Sequence, residues 1–132
     1  MKRLLLAAGV AILGLAGCEK AIKAPELAGE CYLMAPQKDG SVKFNRIAEG
    51  VKDLEHCAVE IEIVRRRFMG LGSTQKEWIG AYQGSFVFVE PEGVLTSTKL
   101  DGIRYPALVR YNDSFVMPGA IVEHPAEAPA KK

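Results

Sequence analysis

The first seventeen residues constrain the rest of the chain most, because they decide which residues remain to fold. Met1-Lys2-Arg3 opens the chain with positive charge, and an uncharged apolar run follows from Leu4 to Gly17. This run is shorter than the about 20 apolar residues that a membrane-crossing helix needs. A positive start, a short apolar middle and small residues at its end are typical of a secretory signal. We therefore expect residues 1–17 to be a signal peptide.

The end of the apolar run has a more specific pattern, Leu15-Ala16-Gly17-Cys18. It resembles the lipobox of bacterial lipoproteins, and it covers only the N-terminal segment, not the folded domain. The resemblance implies cleavage before Cys18, acylation of its thiol and attachment to a membrane of the bacterial envelope. In Gram-negative lipoproteins an Asp after the cysteine favours the inner membrane, so Glu19 implies the outer membrane, facing the periplasm. The alternative is an ordinary secretory signal cleaved elsewhere, with Cys18 free or paired.

Composition restricts the remaining chain to one modest domain. Removal of Lys2 and Arg3 takes the formal net charge from +1 to about −1, which does not favour nucleic acid as a partner. No second long apolar run follows the first one. We expect a tether over residues 18–30, a single domain over residues 31–122 and a disordered tail rich in Pro and Ala over residues 123–132.

The chain has three cysteines, and with Cys18 assigned to lipid, Cys31 and Cys57 remain as a pair. An oxidising compartment favours a disulfide between them. The chain-entropy treatment gives a loop of this size about 3.5 kcal/mol of stabilisation. A structural bridge is favoured over thiol chemistry because the chain has no Cys-x-x-Cys motif, and two buried free thiols remain the alternative.

One segment, from Asp53 to Gly70, has the pattern of an amphipathic helix. Asp53 is suited to cap its N-terminus, Glu62 and Arg66 have the spacing of an ion pair, and Gly70 is suited to the left-handed residue after its end. The apolar stripe has helical spacing: Leu54, Cys57, Ala58, Ile61, Val64 and Phe68.

Strand patterns occupy the remainder of the chain. Residues 31–35 and 41–48 flank a turn and predict an N-terminal β-hairpin. Further strands are predicted over 80–90, 94–100 and 103–111 and from Ser114 onward, with a hairpin turn at Asp101-Gly102. Pro106 cannot donate a backbone hydrogen bond, so its strand should lie at an edge or contain a bulge. The predicted fold is α+β: one amphipathic helix on an antiparallel meander of about four strands, with the hairpin added.

The sequence predicts no catalytic constellation, no metal site and no cofactor. Neither of the two histidines, His56 and His124, has the spacing of a zinc or haem site. We therefore expect a protein that is not an enzyme.

Two segments are candidates for a partner surface. Arg65, Arg66 and Arg67 end the helix, where they either complement its dipole or face an anionic partner. Trp78 and Tyr82 alternate with glycines on one predicted strand face, so they either fill the core or leave a groove for another chain.

These observations favour a lipid-anchored accessory, assembly or inhibitor subunit that docks an envelope protein. The alternative is a binder of a small ligand or an envelope polymer, such as peptidoglycan or lipopolysaccharide, through the aromatic strand face. An oligomeric state does not follow from the sequence.

Overall fold

The computed structural model describes residues 20–120. They form, in chain order, β1 (Cys31–Pro36), β2 (Val42–Ala48), α1 (Leu54–Gly70), β3 (Trp78–Tyr82), β4 (Ser85–Val89), β5 (Gly93–Ser97), β6 (Tyr105–Tyr111) and β7 (Ser114–Val116). The predicted signal peptide, Cys18 and the predicted tail over 123–132 lie outside these residues. Across the described part of the chain, no helix has the length and apolar character needed to cross a membrane.

The seven strands make one antiparallel sheet in the order β2-β1-β3-β4-β5-β6-β7, and α1 packs on one face of it. The predicted α+β class is therefore confirmed. The predicted meander of about four strands was an undercount, because β3 to β7 form a meander of five. The N-terminal hairpin β1-β2 belongs to the same sheet, since β1 pairs with β3.

The undercount comes from the segment predicted as one strand over residues 80–90. It is a hairpin, in which Tyr82 pairs with Ser85 and the two turn residues Gln83 and Gly84 have φ of 46° and 81°. Tight hairpin turns of this kind need positive φ at both central residues, and glutamine rarely adopts it. The turn also puts Tyr82 and Phe86 on opposite faces of the sheet, whereas a single strand over residues 80–90 would have put them on the same face.

The connection from β5 to β6 is longer than predicted. Asp101-Gly102 lies within a loop over residues 98–104 rather than forming a two-residue turn, because β5 already ends at Ser97. The expectation for Pro106 is confirmed: Leu95 pairs with Pro106 and Val94 with Leu108, so the register shifts by one residue beside the proline. Such a shift is a β-bulge, which accommodates a residue without an amide donor.

Helix α1 begins as predicted and ends slightly later. The Asp53 carboxylate accepts a hydrogen bond from the His56 amide at 2.9 Å. The left-handed residue is Gly72, with φ of 96°, rather than Gly70, which is still helical. The amides of Gly72 and Ser73 donate to the carbonyls of Met69 and Phe68, both at 3.0 Å, and these bonds close the helix end.

The sheet divides the core into two sides. The helix side holds Cys57 and Ile61 of α1 together with Trp78, Tyr82 and Val87 of the sheet. Alternation along the strands places a second apolar cluster on the opposite side, which we call the open face because no helix of residues 20–120 covers it. Its buried members are Ala24, Tyr32, Ala81, Phe86 and Phe88.

Part of the predicted tether covers the open face. Ala24 is only 6% exposed, and the Pro25 carbonyl accepts a hydrogen bond from the Gly84 amide at 2.8 Å. The Gly29 carbonyl accepts another from the Val51 amide at 2.8 Å. Residues 24–29 therefore pack on the domain, and its boundary lies before the predicted residue 31.

Candidate functional site

The two cysteines expected to pair do form a disulfide. Cys31 of β1 and Cys57 of α1 are fully buried, with an S–S distance of 1.94 Å and a Cα–Cα distance of 5.4 Å. The bond ties the helix to the centre of the sheet across 26 residues of sequence. Its position in the core is that of a structural bond.

Trp78 and Tyr82, predicted for a partner surface, lie on the helix side of the sheet and are 9% and 7% exposed. The Trp78 ring packs on Phe68 with 5.2 Å between ring centroids, and its Nε1 donates to the Gln75 carbonyl at 3.3 Å. The Tyr82 hydroxyl donates to the Val51 carbonyl at 3.0 Å. Both side chains are thus enclosed by the domain, and the alternative assignment to the core agrees with these contacts.

The three arginines of the predicted surface have different environments. Arg65 is buried and forms two hydrogen bonds to the Glu62 carboxylate, at 2.7 and 2.8 Å. Arg66 is partly exposed and contacts Glu62 at 2.9 Å and Asp113 at 3.0 Å. Arg67 is exposed and forms no ion pair within residues 20–120. Only Arg67 therefore presents a free charge to a partner.

Glu62 is the centre of a network that the sequence indicated only in part. Arg110 of β6 also donates to this carboxylate, at 3.0 and 3.3 Å, so three guanidinium groups surround a side chain that is 2% exposed. Burial raises the pKa of Glu62, but hydrogen bonds from Arg65, Arg110 and Arg66 outweigh it and lower the pKa to about 2. The Glu62–Arg66 pair followed from helical spacing, whereas Arg110 is distant in sequence and gave no such signal.

The end of α1 carries a cluster of exposed apolar side chains. Phe68, Met69 and Leu71 are 44%, 47% and 79% exposed, and Arg67 adjoins them. We call these four residues the helix-end patch. Single exposed apolar residues are common on protein surfaces, whereas three large ones this close in sequence make the end of α1 a candidate contact surface.

A second ion-pair cluster fixes the loop over residues 98–104. The Arg104 guanidinium lies 3.7 Å from the centroid of the Phe88 ring and pairs with Glu77 at 2.5 Å and Glu90 at 3.7 Å. Burial and the neighbouring Glu77 raise the pKa of Glu90. The guanidinium between these two carboxylates gives the cluster a structural role in holding the loop on the open face.

A groove runs between the N-terminal segment and this loop on the open face. Its volume is about 760 Å³, and its lining includes the segment Lys20 to Lys23, the segment Gly40 to Val42, Phe44 and Asp101. No sequence pattern indicated this groove, because residues 20–23 were expected to be a tether free of the domain.

Within the described range of the chain, no three or more His, Cys, Asp or Glu side chains are placed to hold a metal ion. Comparison with models of protein families, with curated proteins and with solved structures found no match to this chain.

Proposed function

We propose that the chain is a non-enzymatic lipoprotein of the bacterial envelope that docks a partner protein through the helix-end patch. Cys18 carries the lipid anchor, in a sequence that resembles a lipobox, and Glu19 directs the protein to the outer membrane. The buried Cys31–Cys57 disulfide supports an oxidising compartment such as the periplasm. The domain is the part that recognises the partner.

The exposed apolar surface at the end of α1 is the observation that carries this proposal. Phe68, Met69 and Leu71 lie in the last turn of α1 and the residues that close it, so three large apolar side chains are exposed at this end of the domain. Aromatic residues and methionine are enriched at the centres of protein interfaces. Arg67 adds a positive charge with no acidic neighbour among the described residues. We infer a partner surface that is apolar at its centre and acidic beside it.

The patch is held rigidly by its neighbours. Phe68 packs on the buried Trp78, and Arg65, itself fixed by Glu62, contacts the Met69 sulfur with Nη1 at 2.7 Å. The amide of Leu71 donates to the Phe68 carbonyl at 3.0 Å. A preformed surface loses less conformational entropy on binding, which favours a docking role for this end of the helix.

The alternative of a ligand or polymer binder was based on an aromatic strand face. Trp78 and Tyr82 face α1 and use their polar groups inside the domain. This leaves the alternative without an accessible aromatic face, and we therefore prefer the protein partner.

Photo-crosslinking in intact cells tests the docking proposal. A photoreactive amino acid would replace Leu71 in one variant and the exposed Lys52, which precedes α1, in a matched control. The expected result is an adduct with one envelope protein from position 71 and none from position 52. Mass spectrometry of the adduct should map the crosslink to a segment with apolar and acidic residues.

A second variant separates specific docking from proximity. Arg67→Glu reverses the unpaired charge of the patch without changing a buried contact, so it should remove most of the adduct from position 71. The same adducts from both positions, or an adduct unaffected by Arg67→Glu, would contradict docking through this patch. Circular dichroism of each variant would check that the domain is folded.

A further inference from the structure

The groove on the open face lies on the opposite side of the sheet from the helix-end patch. Phe44 lines the groove and its ring lies 6.3 Å from that of Phe86, a member of the open-face cluster. Phe68 of the helix-end patch packs on Trp78, which faces α1. The groove and the helix-end patch can therefore contact different molecules at the same time.

Positive charge collects around this groove. Lys20 and Lys23 lie on its N-terminal wall, and Lys99 lines an adjoining depression together with Ile22 and Leu100. Asp101 is the acidic residue of the same lining, so the three lysines leave a local excess of positive charge.

Among the described residues, these lysines form no ion pair with a carboxylate. Every ion pair within residues 20–120 is made by an arginine or by His56, and none is made by a lysine. The lysines of the groove are therefore available to an anionic partner. An ammonium group binds phosphate as a point charge without a fixed geometry, which suits a surface of many phosphates.

Exposed apolar side chains lie beside these lysines. Ile22 lines the groove and is 37% exposed, while Ile103 lines the next depression along, together with Lys99, and is 74% exposed. Lysines interspersed with exposed apolar and aromatic side chains are typical of surfaces that lie in the membrane interface. We call Lys20, Ile22, Lys23, Lys99 and Ile103 the basic face.

Chain connectivity places the basic face beside the proposed anchor. Lys20 follows Cys18 by two residues, and two extended residues span at most about 7 Å. A lipid on Cys18 therefore holds Lys20 at the membrane surface, whatever conformation residues 18 and 19 adopt. The groove wall formed by residues 20–23 then lies within reach of lipid head groups.

We propose that the basic face binds the anionic phosphates of phospholipids in the membrane that holds the Cys18 lipid. This inference rests on the proposed lipid anchor. Ile22 and Ile103 contact the interface between head groups and acyl chains, and the three lysines contact phosphates. The domain is thereby oriented with α1 away from the bilayer, and the helix-end patch faces a partner in the periplasm.

Quenching by brominated lipids tests this orientation. The intact protein, purified from membranes, would be reconstituted into phosphatidylcholine vesicles with and without phosphatidylglycerol, with brominated acyl chains in both. Ile103→Trp reports on the basic face, and Leu71→Trp, at an equally exposed position of the helix-end patch, is the matched control. Both are compared with the parent protein, whose Trp78 is buried. Quenching should be strong at position 103 in vesicles with phosphatidylglycerol, weaker at high salt, and absent at position 71.

A charge variant tests the role of the lysines. Replacing Lys20, Lys23 and Lys99 by Gln in the Ile103→Trp protein should lower the ratio of bound to unbound orientations by about a hundredfold. The matched control replaces Lys43, Lys52 and Lys76, which do not line the groove, and should keep the quenching.

The outcomes separate this inference from the proposed function. An intact mass with acyl chains on Cys18, together with equal quenching at positions 103 and 71, would overturn the basic face and leave the anchor standing. Quenching at position 103 that is equal in both kinds of vesicle would also overturn the basic face. So would quenching that persists when Lys20, Lys23 and Lys99 are replaced by Gln. A protein purified from membranes without acyl chains on Cys18 would overturn both the lipid anchor and the basic face.

Discussion

Glu62 is the residue on which three arginines converge, and its burial makes the network important for stability. Each of Arg65, Arg66 and Arg110 has a hydrogen bond to this one carboxylate, and Arg110 also donates to the carbonyls of Pro91 and Glu90. The network joins α1 to β6, which are far apart in sequence. Removing the carboxylate would leave several positive charges close together in a poorly solvated place.

We expect Glu62→Gln to lower the free energy of unfolding by about 3–5 kcal/mol, the usual effect of breaking a buried ion pair. Denaturant unfolding at neutral pH would measure it. Glu60→Gln, the same substitution at a position of α1 without an ion pair in the described chain, should have little effect. Equal effects of the two substitutions would show that the Glu62 network does not stabilise the fold.

Lowering the pH should lower the free energy of unfolding of the parent protein by a similar amount, because it protonates Glu62. The pKa of Glu62 is lowered from 4.5 to about 2 in the folded state, so its ionised form stabilises the fold above about pH 4.5. That contribution, about 3 kcal/mol, is lost as the pH falls toward 2. The Glu62→Gln variant should lack this part of the acid dependence, and the Glu60→Gln variant should retain it.

Among the secondary-structure elements, α1 and β3 approach each other closely at Gly80. A Cβ atom at Gly80 would clash with the Ile61 side chain and with the Tyr32 carbonyl oxygen of β1. The helix can approach the sheet this closely because position 80 has no side chain. The disulfide between Cys31 and Cys57 holds the same pair of layers together.

Gly80→Ala should therefore destabilise the domain by about 1–3 kcal/mol, because the Tyr32 carbonyl belongs to a paired strand and cannot easily move. Gly70→Ala is the matched control: a Cβ there meets nothing within 4 Å, and alanine favours the helix. We expect the midpoint of thermal unfolding to fall for Gly80→Ala and to rise slightly for Gly70→Ala. A neutral Gly80→Ala would contradict the close packing of these elements.

The disulfide predicts that the effects of replacing its two cysteines are not additive, which a double-mutant cycle can measure. Cys31→Ala and Cys57→Ala should each cost about 3.5 kcal/mol or more, and the double variant should cost little beyond either one, because the bond is lost in each case. Unfolding in denaturant without a reducing agent measures all three variants. Additive losses would mean that the two cysteines contribute independently.

The elements that the sequence predicted well are those with a local signal. Helix α1 followed from its apolar spacing and from the Asp53 cap, and the bulge followed from the missing amide of Pro106. The hairpin at Gln83-Gly84 was missed because a glutamine with positive φ has no sequence signature. The Glu62–Arg110 contact and the groove were missed because they depend on how the sheet brings distant residues together.

For the whole molecule, the proposals give the two faces of the sheet different roles. In these proposals, the open face, with the groove and its lysines, is turned toward the membrane, and the helix face presents the helix-end patch to a partner. Three of the five candidate surface residues, Trp78, Tyr82 and Arg65, are buried, whereas Phe68, predicted on the apolar stripe of the helix, is 44% exposed. The order of strands determines which residues share a face, and a single strand pattern does not reveal it.

The intact mass of the protein extracted from membranes tests the central claim, the lipid anchor at Cys18, most directly. The account predicts a chain that begins at Cys18 and carries two or three acyl chains, and a Cys18→Ala variant that is neither cleaved nor acylated there. A mature chain without acyl groups, or cleavage at another residue with Cys18 unmodified, would contradict it. Either of those results would remove the reason for placing the basic face at a membrane.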